Sequence, residues 1–208
     1  MTVKDLVVGY KSNAPVAGPI SLTVADGEMV LLKGSNGCGK TTFLKTVAGL
    51  MKPLSGTIDA PDAILIPTRI PKVKGFTVTE FIKTFLSFSA GCITPSSRKL
   101  WPMSFGHNFS EAEVVYPDIL AKMGIAELAD RDISTLSDGQ FQKVCLCPAV
   151  ASGKKLILLD EPTAFLDAES RVSFMHFLKN LPAAVLFSSH DLAVCEPFCT
   201  QVVSIQKF

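Results

Sequence analysis

The sequence predicts an α/β fold with a mostly parallel sheet, and three observations carry that prediction. Apolar runs of strand length alternate with segments of helical period, a glycine-rich loop joins one such run to a helix, and another run ends in two adjacent carboxylates. Continuous Val, Ile and Leu runs indicate strands that helices cover on both faces, which is typical of parallel sheets. The chain of 208 residues is 48% hydrophobic, which is enough for one large core, so residues 1–208 are interpreted as a single domain.

The first predicted element is an antiparallel β flank. Residues 3–8 and 20–24 have the apolar pattern of strands, and turn-forming pairs lie between them at 12–13 and 18–19. Turns between two such runs favour antiparallel pairing. A β-rich layer is therefore expected beside the parallel core.

Buried strands and their helices make up the predicted core. Met29–Lys33 precedes a segment of helical period at 40–50, and Leu156–Asp160 precedes another at 168–178. Ala184–Ser188 follows as a third buried strand. Strands that alternate with helices in this way build a parallel sheet.

A helical subdomain is expected to be inserted in this core at approximately 76–150. The strand signal is missing between 76 and 136, whereas 78–88 and 111–123 have helical spacing. A stretch rich in Gly, Pro and Ser at 91–108 separates these two predicted helices.

Composition excludes several classes of function. Lys and Arg number 20 against 19 Asp and Glu, so the net charge of +1 offers no general attraction for nucleic acid. No apolar run approaches the ~20 residues that span a bilayer, and the first residues lack the pattern of a secretory signal. We expect a cytoplasmic protein in which the six cysteines are small buried hydrophobes rather than zinc ligands.

The strongest motif is a phosphate loop between the strand Met29–Lys33 and the helix that follows. Its glycines let the backbone curl so that successive N–H groups face phosphate oxygens, and the helix N-terminus adds a favourable dipole. Lys40 is expected to neutralise the β- and γ-phosphates of ATP, and the Thr41 hydroxyl to bind Mg²⁺, which prefers oxygen ligands. A chance glycine-rich turn is the alternative, and the flanking strand and helix argue against it. The loop reads Gly34-Ser35-Asn36-Gly37-Cys38-Gly39-Lys40-Thr41, and Thr42 completes the predicted nucleotide contacts.

Two carboxylates, Asp160 and Glu161, come at the end of the strand Leu156–Asp160. In a parallel sheet this end of a strand borders the ligand crevice. Asp160 is expected to hold Mg²⁺ through water, and Glu161 to polarise the water that attacks the γ-phosphate. An acidic pair can also cap a helix, and the phosphate loop is what favours the catalytic interpretation.

A third motif, Leu136-Ser137-Asp138-Gly139-Gln140, lies between the predicted helical segments and the acidic pair. With it, the chain resembles the ATP-binding subunit of an ABC transporter, which implies a P-loop NTPase core. The form of the motif resembles the subgroup that serves importers of iron-siderophore, haem or cobalamin complexes. The resemblance implies a head-to-tail dimer in which Ser137 and the Gly139 backbone bind the γ-phosphate held by the second copy. A helix N-terminus presented to an anion gives this contact its physical basis.

The same resemblance implies roles for three further residues. Tyr10 is placed to stack on adenine, Asp167 lies in the loop that couples the two nucleotide sites, and His190 corresponds to a switch histidine near the γ-phosphate. A lone histidine at a strand end is more often structural, but its spacing from the other motifs favours the catalytic role. The predicted catalytic residues are therefore Glu161, His190 and Lys40.

Three positions depart from the family pattern. Thr68 stands where the family has a glutamine that reaches Mg²⁺ and the attacking water, so as a metal contact it would act through a bridging water and slow hydrolysis. Asp138 stands where glycine is commoner, and its carboxylate would repel a triphosphate unless the side chain points away. Pro148 lies inside a predicted helix, where proline removes a hydrogen bond and costs about 3 kcal/mol, so a kink or an early end is expected there.

The resemblance implies an ATPase that forms a homodimer, binds transmembrane permease subunits on the inner face of the cell membrane and powers transport. Two alternatives stay open, namely a degenerate subunit that holds ATP with little hydrolysis and an ABC ATPase without a transport role. The presence of Glu161 and His190 favours hydrolysis. The degenerate subunit is favoured by Thr68, Asp138 and Pro148. Neither the cargo nor the direction of transport follows from the sequence.

Overall fold

Two sheets and the helices around them make up the structure, a computed structural model that describes residues 1–11, 13–87 and 112–208. The predicted break at 91–108 and Cys92 lie outside the described residues. In chain order the strands are β1 (Thr2–Lys11), β2 (Ala14–Thr23), β3 (Met29–Lys33), β4 (Ser55–Asp59), β5 (Ala63–Ile66), β6 (Leu156–Asp160), β7 (Ala184–Ser188) and β8 (Gln201–Ser204). The helices are α1 (Lys40–Val47), α2 (Val78–Ser87), α3 (Ala112–Lys122), α4 (Asp138–Ala151), α5 (Ala168–Lys179) and α6 (Leu192–Cys195), and short 3₁₀ turns lie at Ala126–Leu128, Ile133–Thr135 and Glu196–Phe198.

The larger sheet has five parallel strands in the order β5-β6-β7-β3-β8. Successive residues of a strand point to opposite faces, so Val30 and Leu158 pack in one core cluster while Leu31 and Leu159 pack in the other. The first cluster lies between this sheet and the layer of β1, β2 and α1, and the second lies beneath α2 to α5. The prediction of a parallel sheet covered on both faces is confirmed.

The predicted flank is an antiparallel sheet with the order β2-β1-β4. The expected turn at 18–19 is wrong, because Gly18 and Pro19 lie within β2. Pro19 has no backbone N–H to donate, and the sheet tolerates it because β2 is an edge strand. β1 and β2 are joined at 12–13, where Asn13 is a turn residue and Ser12 lies outside the described residues.

Helix α1 begins at Lys40 as predicted but ends at Val47, before the expected boundary at residue 50. The Gly49 N–H donates to the carbonyl of Thr46 at 3.0 Å, and the Leu50 N–H donates to that of Lys45 at 2.9 Å. This pair of hydrogen bonds closes the C-terminus of a helix and satisfies its last carbonyl groups.

Helix α4 continues past Pro148 to Ala151, so the expected end at this proline is wrong, while a kink stays a prediction. Cys147 and Ala149, on either side of the proline, are fully buried in the core. Tertiary packing of this last turn outweighs the lost hydrogen bond, since most helical stability comes from such packing.

The helices α2, α3 and α4 pack against one another. Their apolar side chains belong to the same cluster as those beneath the five-stranded sheet, so a separate helical subdomain at 76–150 stays a prediction. Within the described ranges, no helix is both long enough and apolar enough to cross a membrane.

Most of the described cysteines are buried thiols. Cys38, Cys145, Cys147 and Cys195 are free and buried, and Cys199 is half-buried. Burial raises the pKa of the Cys147 thiol to about 12, so this group stays neutral at physiological pH.

Candidate active site

The candidate active site lies where the carboxyl ends of β3, β6 and β7 meet. β3 leads into the loop that begins at Gly34, and β6 and β7 end at Asp160 and Ser188, which face each other in the sheet register. Parallel strands present their carboxyl ends at one edge of a sheet, so motifs that are distant in sequence come together there.

The phosphate loop (residues 34–41) curls into the start of α1. Gly39 precedes the helix with a φ of 105°, and no side chain caps the helix there. A Cβ atom at Gly39 would lie 2.8 Å from the Cβ of Ala17, so only glycine fits this close approach to β2. The uncapped first N–H groups of α1 are suited to bind an anion. Residues 35–37 are exposed, whereas Cys38 is buried in the core.

Lys40 folds back over the loop. Its Nζ atom donates to the carbonyl oxygens of Gly34 at 2.7 Å and Ser35 at 3.2 Å, and lies 3.3 Å from Nε2 of His190. Lys40 is only 7% exposed, so its ammonium group is held among these acceptors. In this place the charge can neutralise phosphate oxygens that bind to the loop.

Thr41 and Asp160 are joined directly. The Thr41 hydroxyl donates to Oδ2 of Asp160 at 2.8 Å, and the Ser188 hydroxyl donates to Oδ1 at 2.7 Å. Asp160 is buried, so these hydrogen bonds fix the orientation of its carboxylate. The adjoining oxygen atoms of Thr41 and Asp160 fit the preference of Mg²⁺ for hard oxygen ligands.

Glu161 has an unusual backbone conformation. Its φ of 52° lies in the left-handed region, which costs a non-glycine residue roughly 1–2 kcal/mol. Its N–H donates to the Ser188 hydroxyl at 3.0 Å, and its Oε2 accepts from the His190 N–H at 3.2 Å. Its Oε1 is buried without a hydrogen bond, although Nε2 of His190 lies 3.1 Å away. A carboxylate oriented in this way, with no hydrogen bond at one oxygen, is suited to accept a proton from water.

The pKa of Glu161 is raised above its usual range. Burial is the main cause, because the ionised form loses hydration. The positive charges of His190 and Lys40 and the His190 N–H oppose this increase in the pKa, whereas Asp160 adds to it. A higher pKa makes the carboxylate a better proton acceptor near neutral pH.

One nitrogen of His190 lies between a cation and a carboxylate. Its Nε2 is 3.3 Å from Nζ of Lys40 and 3.1 Å from Oε1 of Glu161. An unprotonated Nε2 accepts from Lys40, whereas a protonated Nε2 acts as a donor toward Glu161. In both arrangements this nitrogen lies close to the Lys40 ammonium and to the Glu161 carboxylate.

Tyr10 lies beside the start of α1. The residue is 69% exposed near the end of β1, and its hydroxyl accepts a hydrogen bond from the buried Thr42 at 3.3 Å. An exposed aromatic ring held next to the phosphate loop fits the predicted stacking on adenine.

The α4 motif (residues 136–140) forms the N-terminus of α4. The Ser137 hydroxyl accepts from the Gln140 N–H at 3.1 Å, and Oε1 of Gln140 accepts from the Ser137 N–H at 3.0 Å, which is a capping box. The Ser137 hydroxyl keeps its own proton to donate elsewhere. A Cβ atom at Gly139 would lie 3.2 Å from the carbonyl oxygen of Phe165, so this helix end packs closely on the loop before α5. Ser137 and Asp138 are exposed.

The loop that ends at Asp167 is tied to the segment after β7. Asp167 caps α5 by accepting the Ser170 N–H at 2.8 Å, and this hydrogen bond lowers the pKa of its carboxyl group. Arg171 donates to the carbonyl of Leu166 at 2.9 Å and to Oδ2 of Asp191 at 2.7 Å. Arg171 therefore holds the two predicted site segments together.

Thr68 takes no part in the hydrogen-bonded group at Asp160. It follows β5 and lines a cavity of about 690 Å³ between residues 67–72 and α4, together with Phe141 and Phe165. A role for Thr68 as a metal contact stays a prediction.

Sequence patterns missed three residues of the site. Ser188 bridges the two carboxylate residues, Lys72 pairs with Asp138, and Arg171 joins two loops. A hydroxyl at the end of a buried parallel strand could have pointed to Ser188, because strand ends border the crevice. Lys72 and Arg171 belong to no motif, so no sequence signal indicated them.

The sequence and the fold of this chain are similar to those of known proteins. The sequence model of a protein family described as ABC transporter matches residues 17–164. The ATP-binding protein ZnuC of the high-affinity zinc uptake system of Bacillus subtilis (strain 168) is 30% identical over 217 residues, which cover 100% of this chain and 91% of ZnuC. The iron(3+)-hydroxamate import ATP-binding protein FhuC of the same organism is 28% identical over 225 residues, covering 100% of this chain and 79% of FhuC. The dimeric structure of MJ0796, a bacterial ABC transporter cassette, shares the fold with a TM-score of 0.76 and 22% identity, covering 98% of this chain and 93% of that chain.

Proposed function

The chain belongs to the ABC transporter family, whose ATP-binding domains are ATPases, and from this premise we propose that it binds Mg-ATP at the phosphate loop and hydrolyses it with Glu161 as the base. The observation that carries the proposal is the direct linkage of separate motifs at one edge of the sheet. Lys40 lies 3.3 Å from His190, and Thr41 lies 2.8 Å from Asp160. Such a cluster brings a cation, oxygen ligands and a proton acceptor to one place.

Each residue has a task in the proposed reaction. The N–H groups of α1 and the Lys40 ammonium bind the phosphate oxygens and offset their charge. Glu161 accepts a proton from the attacking water. As the water oxygen bonds to the γ-phosphorus, the bond between that phosphorus and the bridging oxygen of ADP breaks. His190, next to both Lys40 and Glu161, orients the water and stabilises charge on the γ-phosphate. Tyr10 stacks on adenine.

The residues fit a magnesium ion that arrives with the nucleotide. Thr41 would hold the ion through its hydroxyl and Asp160 through water, and Thr68 would contribute only through a further bridging water. When bound, the ion supplies positive charge next to the β- and γ-phosphates.

The second half of each nucleotide site is proposed to come from another copy. The exposed Ser137 retains a hydroxyl proton, and the N-terminus of α4 presents a favourable dipole to an anion. Proteins of this fold form dimers, as MJ0796 does. In a head-to-tail dimer the α4 motif of one copy closes on the phosphate loop of the other, and Asp167 lies in the loop between the two sites. ATP stabilises the closed dimer, and hydrolysis releases it.

Permease subunits are the proposed membrane partners of this dimer. ATP-binding domains of this family pair with transmembrane permeases, which would place the chain on the inner face of the cell membrane. The names of ZnuC and FhuC describe uptake of zinc and import of iron(3+)-hydroxamate, which supports import of a metal ion or metal complex by this chain. Deletion of the gene should abolish cellular uptake of one of four cargoes, namely zinc, an iron-siderophore, haem or cobalamin. Unchanged uptake of all four would contradict this assignment.

One observation favours a second function, ATP binding with little hydrolysis. Thr68 occupies the position where the family has glutamine, and it lines the cavity beside α4 rather than joining Thr41 and Asp160. If the missing glutamine contact is essential, the chain would hold ATP and close as a dimer without completing hydrolysis.

Phosphate release by the purified protein separates the two functions. It is measured with Mg-ATP over a range of protein concentrations for the wild type, for Glu161→Gln and for Glu169→Gln, a control at an exposed glutamate of α5. We expect release to rise faster than linearly with wild-type concentration and to fall about 10²–10⁴-fold in Glu161→Gln, with Glu169→Gln unchanged. ATP binding without phosphate release in the wild type would contradict hydrolysis and support the second function.

A further inference from the structure

A lysine outside the sequence motifs, Lys72, holds the start of α4. Its Nζ atom donates to the carbonyl oxygen of Leu136 at 2.7 Å and to Oδ1 of Asp138 at 2.7 Å. The same atom lies 5.6 Å from the centre of the Phe141 ring. One ammonium group therefore contacts the residues on both sides of Ser137 and lies over an aromatic ring in the first turn of α4.

Lys72 reaches this position from another part of the fold. It ends the segment 67–72 that follows β5, and this segment lines one cavity with Asp138 and Phe141. The Lys72 side chain is 24% exposed, whereas that of Asp138 is 69% exposed. The half-buried Lys72 thus holds the exposed Asp138 carboxylate against the segment 67–72.

Asp138 presents an electrostatic problem for the proposed dimer. The triphosphate held by one copy would lie at the N-terminus of α4 of the other, next to the Asp138 carboxylate. An uncompensated negative charge at this place would repel the phosphates. The Lys72 ammonium supplies an equal positive charge in direct contact with that carboxylate.

We propose that Lys72 is a positioning residue that compensates the charge of Asp138 and orients Ser137 for ATP held by the second copy. The inference rests on the proposed function, because it gives Lys72 a part in the same composite nucleotide site. The Lys72 charge would allow the Asp138 carboxylate to lie next to Ser137 without repelling the triphosphate.

The test compares Lys72→Met with Lys74→Met, which removes an exposed lysine close by. At low ionic strength, Lys72→Met should raise the ATP concentration for half-maximal phosphate release about tenfold, because the carboxylate is left uncompensated. Turnover at saturating ATP should change by less than about twofold, since the groups around Glu161 are untouched. Lys74→Met should match the wild type, and Lys72→Arg, which keeps the charge, should retain most of the affinity.

Two further measurements distinguish charge compensation from loss of packing. When Asp138→Asn is already present, adding Lys72→Met should change the half-maximal ATP concentration by less than about twofold, because no carboxylate needs compensation. Raising the ionic strength should shrink the effect of Lys72→Met on its own, since salt screens exposed charges. An effect that persists in both measurements would come from packing and would overturn the proposal.

Measurements on the wild type separate the role of Lys72 from the proposed nucleotide site as a whole. A wild-type protein that neither releases phosphate nor dimerises with ATP would overturn both. Normal wild-type turnover, with Lys72→Met indistinguishable from Lys74→Met, would overturn the role of Lys72 alone. If circular dichroism shows that Lys72→Met does not fold, Lys72→Gln, which keeps a donor for the Leu136 carbonyl, provides the same comparison.

Discussion

The edge of the parallel sheet and the N-terminus of α4 are both proposed to bind the phosphates of ATP, yet they are built in opposite ways. At the sheet edge, Lys40 and Asp160 are buried, and their hydrogen-bond partners come from separate strands and loops. At α4, Ser137 and Asp138 are exposed, and their partners are a local capping box and Lys72. The first region is assembled within one chain, whereas the second is an exposed surface. The proposed head-to-tail dimer accounts for this difference, because the α4 motif of a second copy would complete each site.

The largest expected effect tests this division by mixing variants that each break one region. Lys40→Ala should abolish phosphate binding at the loop, and Ser137→Arg should block the α4 motif, so each alone should lower turnover about 10³-fold. A head-to-tail dimer of the two variants contains one site with an intact loop from one chain and an intact α4 motif from the other. Mixing them should restore phosphate release to a substantial fraction of the wild-type rate.

The matched controls are the two variants measured separately at the same total protein concentration, and both should stay inactive. A mixture that also stays inactive, while size-exclusion chromatography shows that mixed dimers form, would mean that the two regions do not combine across chains.

The next effect concerns the sheet edge alone and appears in the pH profile of kcat/KM. The unprotonated Glu161 carboxylate is the active form, so activity falls as the pH drops through its pKa, which burial places above the usual value of about 4.3. The His190 charge lowers the pKa of Glu161, so His190→Gln should raise that pKa and move the acid limb to higher pH. Turnover should also fall at least about tenfold.

His176→Gln, at an exposed histidine of α5, serves as the control for this pH measurement. It should leave the profile unchanged. An acid limb at the same pH for wild type and His190→Gln would mean that the two side chains do not interact during catalysis.

A smaller effect is expected at Thr68, which lies between the two regions. Thr68→Gln supplies the longer side chain of the family and should speed phosphate release roughly three- to fivefold, the equivalent of about 1 kcal/mol of barrier. Steady-state turnover at saturating ATP measures this change. No increase would argue that Thr68 does not limit hydrolysis.

The smallest effect concerns stability and compares the helix caps. Asp167 caps α5 as Ser137 caps α4, so Asp167→Ala and Ser137→Ala should both lower the unfolding free energy, by about 1 kcal/mol for Ser137→Ala. For a chain of this size the melting temperature should drop by about 2–4 °C. Ser137→Ala should also raise the ATP concentration for half-maximal turnover, and an unchanged value would mean that the Ser137 hydroxyl does not bind ATP.

Local patterns predicted much of the core because buried parallel strands are continuous apolar runs. The bounds of β3, β6 and β7 match the predicted runs, and α1 begins at the predicted residue. The errors have a common cause, since Gly18-Pro19 and Pro148 carry the chemistry of turns and helix ends. An edge position in the sheet and burial in the core overrode that chemistry.

By itself, the sequence determined the phosphate loop, the acidic pair and the α4 motif, and through them the family, because each motif is a contiguous run of residues that is recognised without its distant partners. The tertiary structure alone decided which side chains meet. Thr41 and Asp160 are 119 residues apart, and Lys72 and Asp138 are 66 apart. Such contacts depend on strand order and on the packing of helices against the sheet, which neither local propensity nor periodicity encodes.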